Sequence, residues 1–177
     1  MKNIILLILI AVTFLSSSCV VSFDNSLIDS QTTPFDNRLI GKWLEIEENK
    51  AVFKFSSDSD SKIIVSLLDE NGKPKLLFTA FTTTIGKYNY LSLKLIDDDD
   101  IEKTSLIVRY EIQGDELTTW LPDKVKFNEF INRGKLRGKP KSYGEISVSN
   151  TPEELKKFLE SNESDELFEF FCKLKKQ

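Results

Sequence analysis

Short segments in which apolar and polar residues alternate fill the middle of this chain. Residues 104–112 carry an apolar side chain at every second position, and residues 88–96 repeat the pattern. A period of two is typical of a strand with one face in a core and the other towards water, so we expect Arg109 to face water. The same reasoning predicts further strands at residues 39–44, 51–56, 62–68, 76–85 and 116–121.

Turn residues separate these segments. Asn71-Gly72 and Gly114-Asp115 each lie between two apolar runs, which is a strong signal for a hairpin. Six or seven consecutive short strands predict an antiparallel up-and-down meander. Such a meander buries its apolar face either by closing into a barrel or by packing on another element. We therefore predict a mainly β domain.

The apolar period lengthens after residue 121. One face of residues 125–131 is apolar, which predicts a short helix. Thr151-Pro152-Glu153-Glu154 has the sequence of a capping box with proline at the first helical position, which predicts a second helix. A third helix is expected to begin at Ser164 and to continue through Leu174. We expect these helices to brace the sheet.

The N-terminus resembles a bacterial lipoprotein signal peptide. Lys2, an apolar run over residues 4–15 and three serines precede Cys19. The run is too short to span a hydrocarbon core of about 30 Å, but it suits a cleavable segment. The resemblance implies that residues 1–18 are removed and that Cys19 carries the lipid that anchors the protein to a membrane. The alternative is a secreted protein cleaved within the serines.

The segment that follows predicts a tether. Residues 19–37 are polar, show no sustained period and contain Pro34. As a flexible coil, this stretch would let the domain stand about 20–25 Å from the bilayer. Residues 38–177 contain no linker and are expected to form one domain.

Composition excludes several kinds of chemistry. The chain has no histidine, so Ser-His-Asp and Cys-His catalysis and a histidine-liganded metal site are excluded. It has no glycine-rich phosphate loop. Asp97 to Asp100 lack the spacing of a calcium loop and are interpreted as a solvated hairpin tip. With Cys19 acylated, Cys172 is most simply a buried apolar side chain. We expect no catalytic residue, no cofactor and no metal.

Charge argues against nucleic acid as a partner. Removal of Lys2 with residues 1–18 leaves 23 basic residues against 28 acidic ones, a net charge of −5. A protein that binds phosphates carries a basic patch, and here the two signs are interspersed. The exception is the basic run between Arg133 and Lys141, which we interpret as a solvated turn that can lie near anionic lipid.

Gly41-Lys42-Trp43, at the start of the first strand of the meander, resembles the opening motif of lipocalins and of lipocalin-like bacterial lipoproteins. The later sequence from Phe127 to Leu155 resembles the C-terminal end of the same set. The resemblance implies a closed lipocalin-like barrel in which Trp43 packs into one end and an arginine covers it. Arg109 and Arg137 are the candidates for that arginine.

A ligand-binding barrel would line its interior with the inward faces of the central strands. Periodicity does not decide which face points inward, because both faces of residues 76–85 carry apolar side chains. Aromatic residues of the predicted strands are the candidates for ligand contact, with Trp120 near the far rim. They are Phe53, Phe55, Phe78, Tyr88, Tyr90, Tyr110 and Trp120.

Two functions remain open. The first is a non-catalytic binding module that holds a small apolar or lipid-like molecule near the membrane. The second is a cell-envelope module that binds another protein, as an inhibitor or assembly factor, and fills its barrel with its own side chains. In both, the protein is anchored in the cell envelope, on the outer membrane facing the periplasm if the host is Gram-negative.

Overall fold

The computed structural model describes residues 21–28, 35–46, 51–59, 62–96, 104–141, 144–162 and 164–177. A short 3-10 helix spans Asn37–Leu39. The described α-helices are α1 (Lys124–Asn132), α2 (Pro152–Ser161) and α3 (Ser164–Leu167). The described strands are β1 (Val21–Phe23), β2 (Gly41–Glu45), β3 (Val52–Ser59), β4 (Lys62–Leu68), β5 (Pro74–Ile85), β6 (Tyr88–Leu95), β7 (Ser105–Gln113), β8 (Glu116–Pro122), β9 (Gly138–Pro140), β10 (Ile146–Val148) and β11 (Phe168–Lys176).

Eight strands close into an antiparallel barrel. Strands β2 to β8 pair in chain order, β8 pairs with β11, and β11 pairs back onto β2. Leu91 pairs with Val108 between β6 and β7, and Lys176 pairs with Trp43 between β11 and β2, where the ring closes. Closure leaves no free edge among these eight strands, and it confirms the predicted mainly β, lipocalin-like barrel architecture.

The closing strand corrects the sequence analysis. The predicted helix from Ser164 to Leu174 is wrong beyond Leu167, because Phe168 begins β11. A β-bulge between Phe170 and Cys172 shifts the strand by one residue, so its inward positions do not follow a single period of two. A short apolar run without a clear period does not distinguish a strand from a helix. Pairing with β8 and β2 stabilises the extended conformation of residues 168–176.

The molecule has two apolar cores on opposite sides of the barrel wall. The interior core takes side chains from all eight barrel strands, including Trp43, Leu117 and Val65. The second core lies outside the barrel, where α1, α2 and the N-terminal segment cover one wall with residues such as Phe127 and Phe158. The helices therefore brace the barrel from outside and do not fill it.

The N-terminal segment is not a tether where it is described. β1 pairs in parallel with β10, and its Phe23 pairs with Ser105 of β7. The next residues are held as well, because Leu27 is fully buried and its amide donates to Ser92 Oγ at 3.2 Å. The prediction of a flexible segment over 19–37 is therefore wrong for residues 21–28 and 35–37; residues 19–20 and 29–34 lie outside the described part of the chain.

The first two helices follow their predicted boundaries closely. In α2, the Thr151 side chain accepts from the Glu154 amide while the Glu154 carboxylate accepts from the Thr151 amide, which confirms the capping box. Among the described residues, no helix is both long enough and apolar enough to cross a bilayer.

Candidate functional site in the barrel

One end of the barrel is sealed around Trp43. Its side chain is fully buried, and Nε1 donates to the Leu39 carbonyl at 2.7 Å. The 3-10 helix that carries Leu39 thereby closes this end. Two residues earlier, Gly41 has a φ of +137°, a conformation that side chains with a Cβ rarely adopt. Gly41 thus forms the turn into β2, and the Trp43 ring closes the end of the barrel behind this turn.

A lysine, and not an arginine, covers the tryptophan. Lys176 Nζ lies 5.2 Å from the centre of the Trp43 ring and donates to the Arg38 carbonyl at 2.9 Å. The expectation for Arg109 and Arg137 is wrong, because Arg109 lies over Trp120 on the outer wall and Arg137 pairs with Glu154. The lysine was missed because β11, the strand that carries it, was not predicted.

A polar cluster completes the closed end. Tyr110 Oη donates to Asp36 Oδ2 at 3.1 Å, and Arg38 Nη2 donates to the same oxygen at 2.8 Å. Burial alone would raise the pKa of Asp36, but the hydrogen bonds and charge of Arg38, together with the Tyr110 hydroxyl, outweigh burial and lower it. Burial raises the pKa of Tyr110, and the Asp36 carboxylate raises it further. The cluster holds Asp36 ionised and Tyr110 neutral.

The middle of the barrel is filled by its own side chains. Phe55, Leu91, Val108 and Cys172 are all buried in the interior core. Cys172 packs as a buried apolar residue, as expected, with Thr119 Oγ1 3.2 Å from its sulfur. A ligand therefore has no room at this level unless these side chains move, which close packing makes costly.

At the opposite end of the barrel, which we call the open end, described inner-face side chains are apolar and exposed. Register places Phe78 and Leu93 on the inner face near this end, and both are only partly buried. The inner-face positions still closer to the rim are exposed, with Leu76 at 41% and Leu95 at 51% of their surface. Soluble proteins rarely expose clusters of large apolar side chains. The exposed cluster at this end of the barrel, its mouth, is therefore a candidate contact surface. The neighbouring stretches 47–50 and 97–103, which include Asp97 to Asp100, lie outside the described residues.

The barrel divides the predicted ligand-contact residues into two groups. Phe53, Phe55, Phe78 and Tyr110 face the interior. The expectation that the other three candidates face inward is wrong, since they lie in or against the outer core: Tyr88, Tyr90 and Trp120. This part of the barrel wall is apolar on both faces, because the interior core buries one face and the helices bury the other. Alternation of apolar and polar residues therefore could not show which face points inward.

On that outer wall the structure shows an arginine that the sequence placed in water. Arg109 is 5% exposed and lies between the rings of Tyr88 and Trp120, at 5.1 and 4.2 Å from their centres. Its Nη1 donates to Asp165 Oδ1 at 2.5 Å, and the Tyr88 hydroxyl donates to Oδ2 at 2.6 Å. Hydrogen bonds from Tyr88 and then Arg109 lower the pKa of Asp165. The group fastens α3 to the barrel.

A groove lies between α1 and α2 on the outside of the barrel. Its volume is about 680 Å³, and it is open to solvent. Three apolar and three basic side chains contribute to its lining: Phe130, Leu136, Phe158, Lys135, Arg137 and Lys157. The carboxylate of Glu154 lies in the same groove and is paired with Arg137, which leaves the local charge positive.

The comparisons with known proteins give no family. No protein-family model matches this chain, and neither curated proteins nor solved structures include a match to it. Within the described ranges, no three histidine, cysteine, aspartate or glutamate residues come together as a metal site. The function must therefore be inferred from the geometry of the barrel.

Proposed function

We propose that this protein is a lipid-anchored, non-catalytic binding module of the cell envelope, which takes a small apolar or lipid-like ligand at the open end of its barrel. Cys19 is the proposed site of lipid attachment. The observation that carries the ligand proposal is the contrast between the two ends. Trp43 and the 3-10 helix seal one end, whereas inner-face apolar side chains are exposed at the other.

The filled middle determines how such a ligand would bind. Its apolar part would enter only the outer portion of the barrel, above Phe55 and Leu91, and its polar part would stay at the rim. Micromolar affinity corresponds to about 8 kcal/mol. Because a buried methylene contributes about 0.8 kcal/mol, that affinity requires burial of about ten methylene groups. The ligand class that meets this requirement is a medium or long acyl chain or a compound of similar shape.

Titration with a fluorescent fatty-acid probe tests the proposal. We expect micromolar binding to the wild type and at least about tenfold weaker binding to Leu95→Glu, because the mouth would lose an apolar contact and gain a charge. Phe170→Glu is the matched control, since Phe170 pairs with Trp120 on the outer wall and is 50% exposed, as Leu95 is. Binding should survive in the control. Absence of wild-type binding, or equal loss in both variants, would reject the mouth as a ligand site.

A second function is favoured by a different observation. Phe170 and Phe171 are adjacent, exposed aromatic residues on β11, at the bulge. Aromatic side chains at a strand bulge are suited to contact another protein. A photo-cross-linking residue at position 171 should then capture one defined envelope protein in cells, while the same residue at Lys54 should not. That result, together with failure of the probe to bind, would favour an interaction module with a solid barrel.

A further inference from the structure

We propose that the face around the N-terminal end of β1 lies directly against an anionic membrane surface and fixes the orientation of the barrel. The proposal names a partner and a contact surface, and it rests on the proposed lipid anchor at Cys19. It is carried by two observations: the position of β1 in the fold and the charge of its neighbours.

The first observation concerns chain length. Only residue 20 separates Cys19 from Val21, and two residues span at most about 7 Å. Val21 is buried and pairs with Ile146, and the following Phe23 is 1% exposed. An acylated Cys19 would therefore be held within about 7 Å of a fixed strand. The anchor would hold this face of the protein at the bilayer, whereas a long tether would let the domain rotate freely.

The second observation concerns charge. Register places Val21 beside Ile146 and Ile146 beside Pro140, while Lys139 pairs with Ser147 and the Lys141 amide donates to the Glu145 carbonyl. Lys139 and Lys141 therefore lie within one position of the row that contains Val21, around the N-terminal end of β1. Lys124 Nζ also reaches this face, since it lies 3.4 Å from where a Cβ on Gly144 would be. We define Lys124, Lys139 and Lys141 as the basic face.

The basic face differs from the rest of the molecule. Glu145 is the one acidic side chain among the described residues 138–141 and 144–148, and the Asp24 carboxylate accepts from Ser147 beyond the other end of β1. The three lysines outnumber these two acids, whereas the mature chain carries a net charge of −5. Val125, next to Lys124, is 66% exposed, which suits contact with the headgroup region. Lysines within a Debye length of anionic lipid are attracted to it, and a basic patch next to a lipid chain strengthens membrane association.

Fluorescence quenching on vesicles tests this orientation. The acylated full-length protein is reconstituted into vesicles that contain anionic phospholipid and a quencher on the headgroup. A label is introduced by Glu145→Cys at the basic face or by Lys54→Cys on β3, which lies four strands around the barrel from β7. Cys172 is buried and should stay unlabelled. We expect strong quenching of the label at position 145 and little quenching of the label at position 54.

The contribution of the lysines is measured with the same label at position 145. Quenching should decrease when zwitterionic lipid replaces the anionic lipid. The variant Lys124→Glu/Lys139→Glu should lose this dependence on anionic lipid, while Lys73→Glu/Lys75→Glu, with the same change in charge at the open end, should keep it. Circular dichroism checks that each variant is folded.

The outcomes distinguish the two proposals. A protein that does not float with the vesicles overturns the anchor at Cys19 and, with it, the membrane face. A protein that floats but shows equal quenching at positions 145 and 54 leaves the anchor in place and overturns the membrane face. Quenching at position 145 that is independent of anionic lipid also overturns the basic face as a lipid contact.

Discussion

Substitution of Trp43 tests whether the closed end stabilises the barrel. Trp43→Ala removes a fully buried ring from the end of the interior core. It also removes the donor that Nε1 supplies to the Leu39 carbonyl at 2.7 Å, and it takes away the ring beneath Lys176. The 3-10 helix would then lose the side-chain hydrogen bond that joins it to β2.

The expected loss is large relative to the stability of a domain. Replacement of a buried tryptophan by alanine lowers the free energy of unfolding by about 3–5 kcal/mol. A typical domain has a free energy of unfolding of about 5–15 kcal/mol, so roughly a fifth or more of it would be lost. For a chain of this size, each kcal/mol lowers the melting temperature by about 2–4 °C, which predicts a decrease of roughly 6–20 °C.

Urea and thermal unfolding followed by far-ultraviolet circular dichroism measure this loss without relying on tryptophan fluorescence. Trp43→Phe is the matched variant, because it keeps an aromatic ring in the core while it removes the Nε1 donor and reduces the size of the side chain. It should cost about 1–3 kcal/mol, the range for an unsatisfied buried acceptor. If Trp43→Ala unfolds within about 1 kcal/mol of the wild type, below the range for a buried ring, the closed end does not contribute as described.

Three further predictions concern the closed end and the anchor. The pKa of Asp36 is lowered in the folded state, so its ionised form contributes to stability above the unfolded pKa near 3.9, and this contribution is lost as pH falls through the folded pKa. Asp36→Asn should therefore show a smaller decrease in the free energy of unfolding than the wild type between about pH 5 and pH 2. Gly41→Ala should cost about 1–3 kcal/mol in thermal unfolding, because a φ of +137° strains alanine and its Cβ would meet Lys176 Cε at 2.9 Å; unchanged stability would contradict the backbone argument. Cys19→Ala should move the protein from the membrane fraction to the soluble fraction or leave the precursor uncleaved, and a wild type of unmodified mass in the soluble fraction would refute the anchor.

The barrel could be predicted because most of its strands obey local rules. Residues 104–112 alternate cleanly, and Asn71-Gly72 and Gly114-Asp115 define hairpins, so neighbouring strands follow from sequence order. β1 and β11 are among the strands that could not be predicted in this way. β1 has three residues and gains its stability from pairing with β10, more than 120 positions later in the chain. β11 contains a bulge that disguises its period.

The candidate site was predicted only in part for a related reason. Alternation separates the faces of a strand, but it does not say which face the barrel encloses. Tyr90 and Arg109 form a cross-strand pair on the outer wall, where helices placed later in the sequence bury them. The exposure of Leu95 at the mouth depends on where each strand ends relative to its neighbours, and this is set by closure of the whole barrel.

The central claim is that an apolar ligand enters the open end of the barrel. Crystals of the protein soaked with a fatty acid brominated at its terminal carbon test it most directly, because anomalous scattering locates the bromine. The account predicts a bromine between the strands at the level of Phe78 and Leu93, with the carboxylate at the rim. A bromine in the groove between α1 and α2, against Phe130 and Phe158, or no ordered bromine at any site, would contradict it.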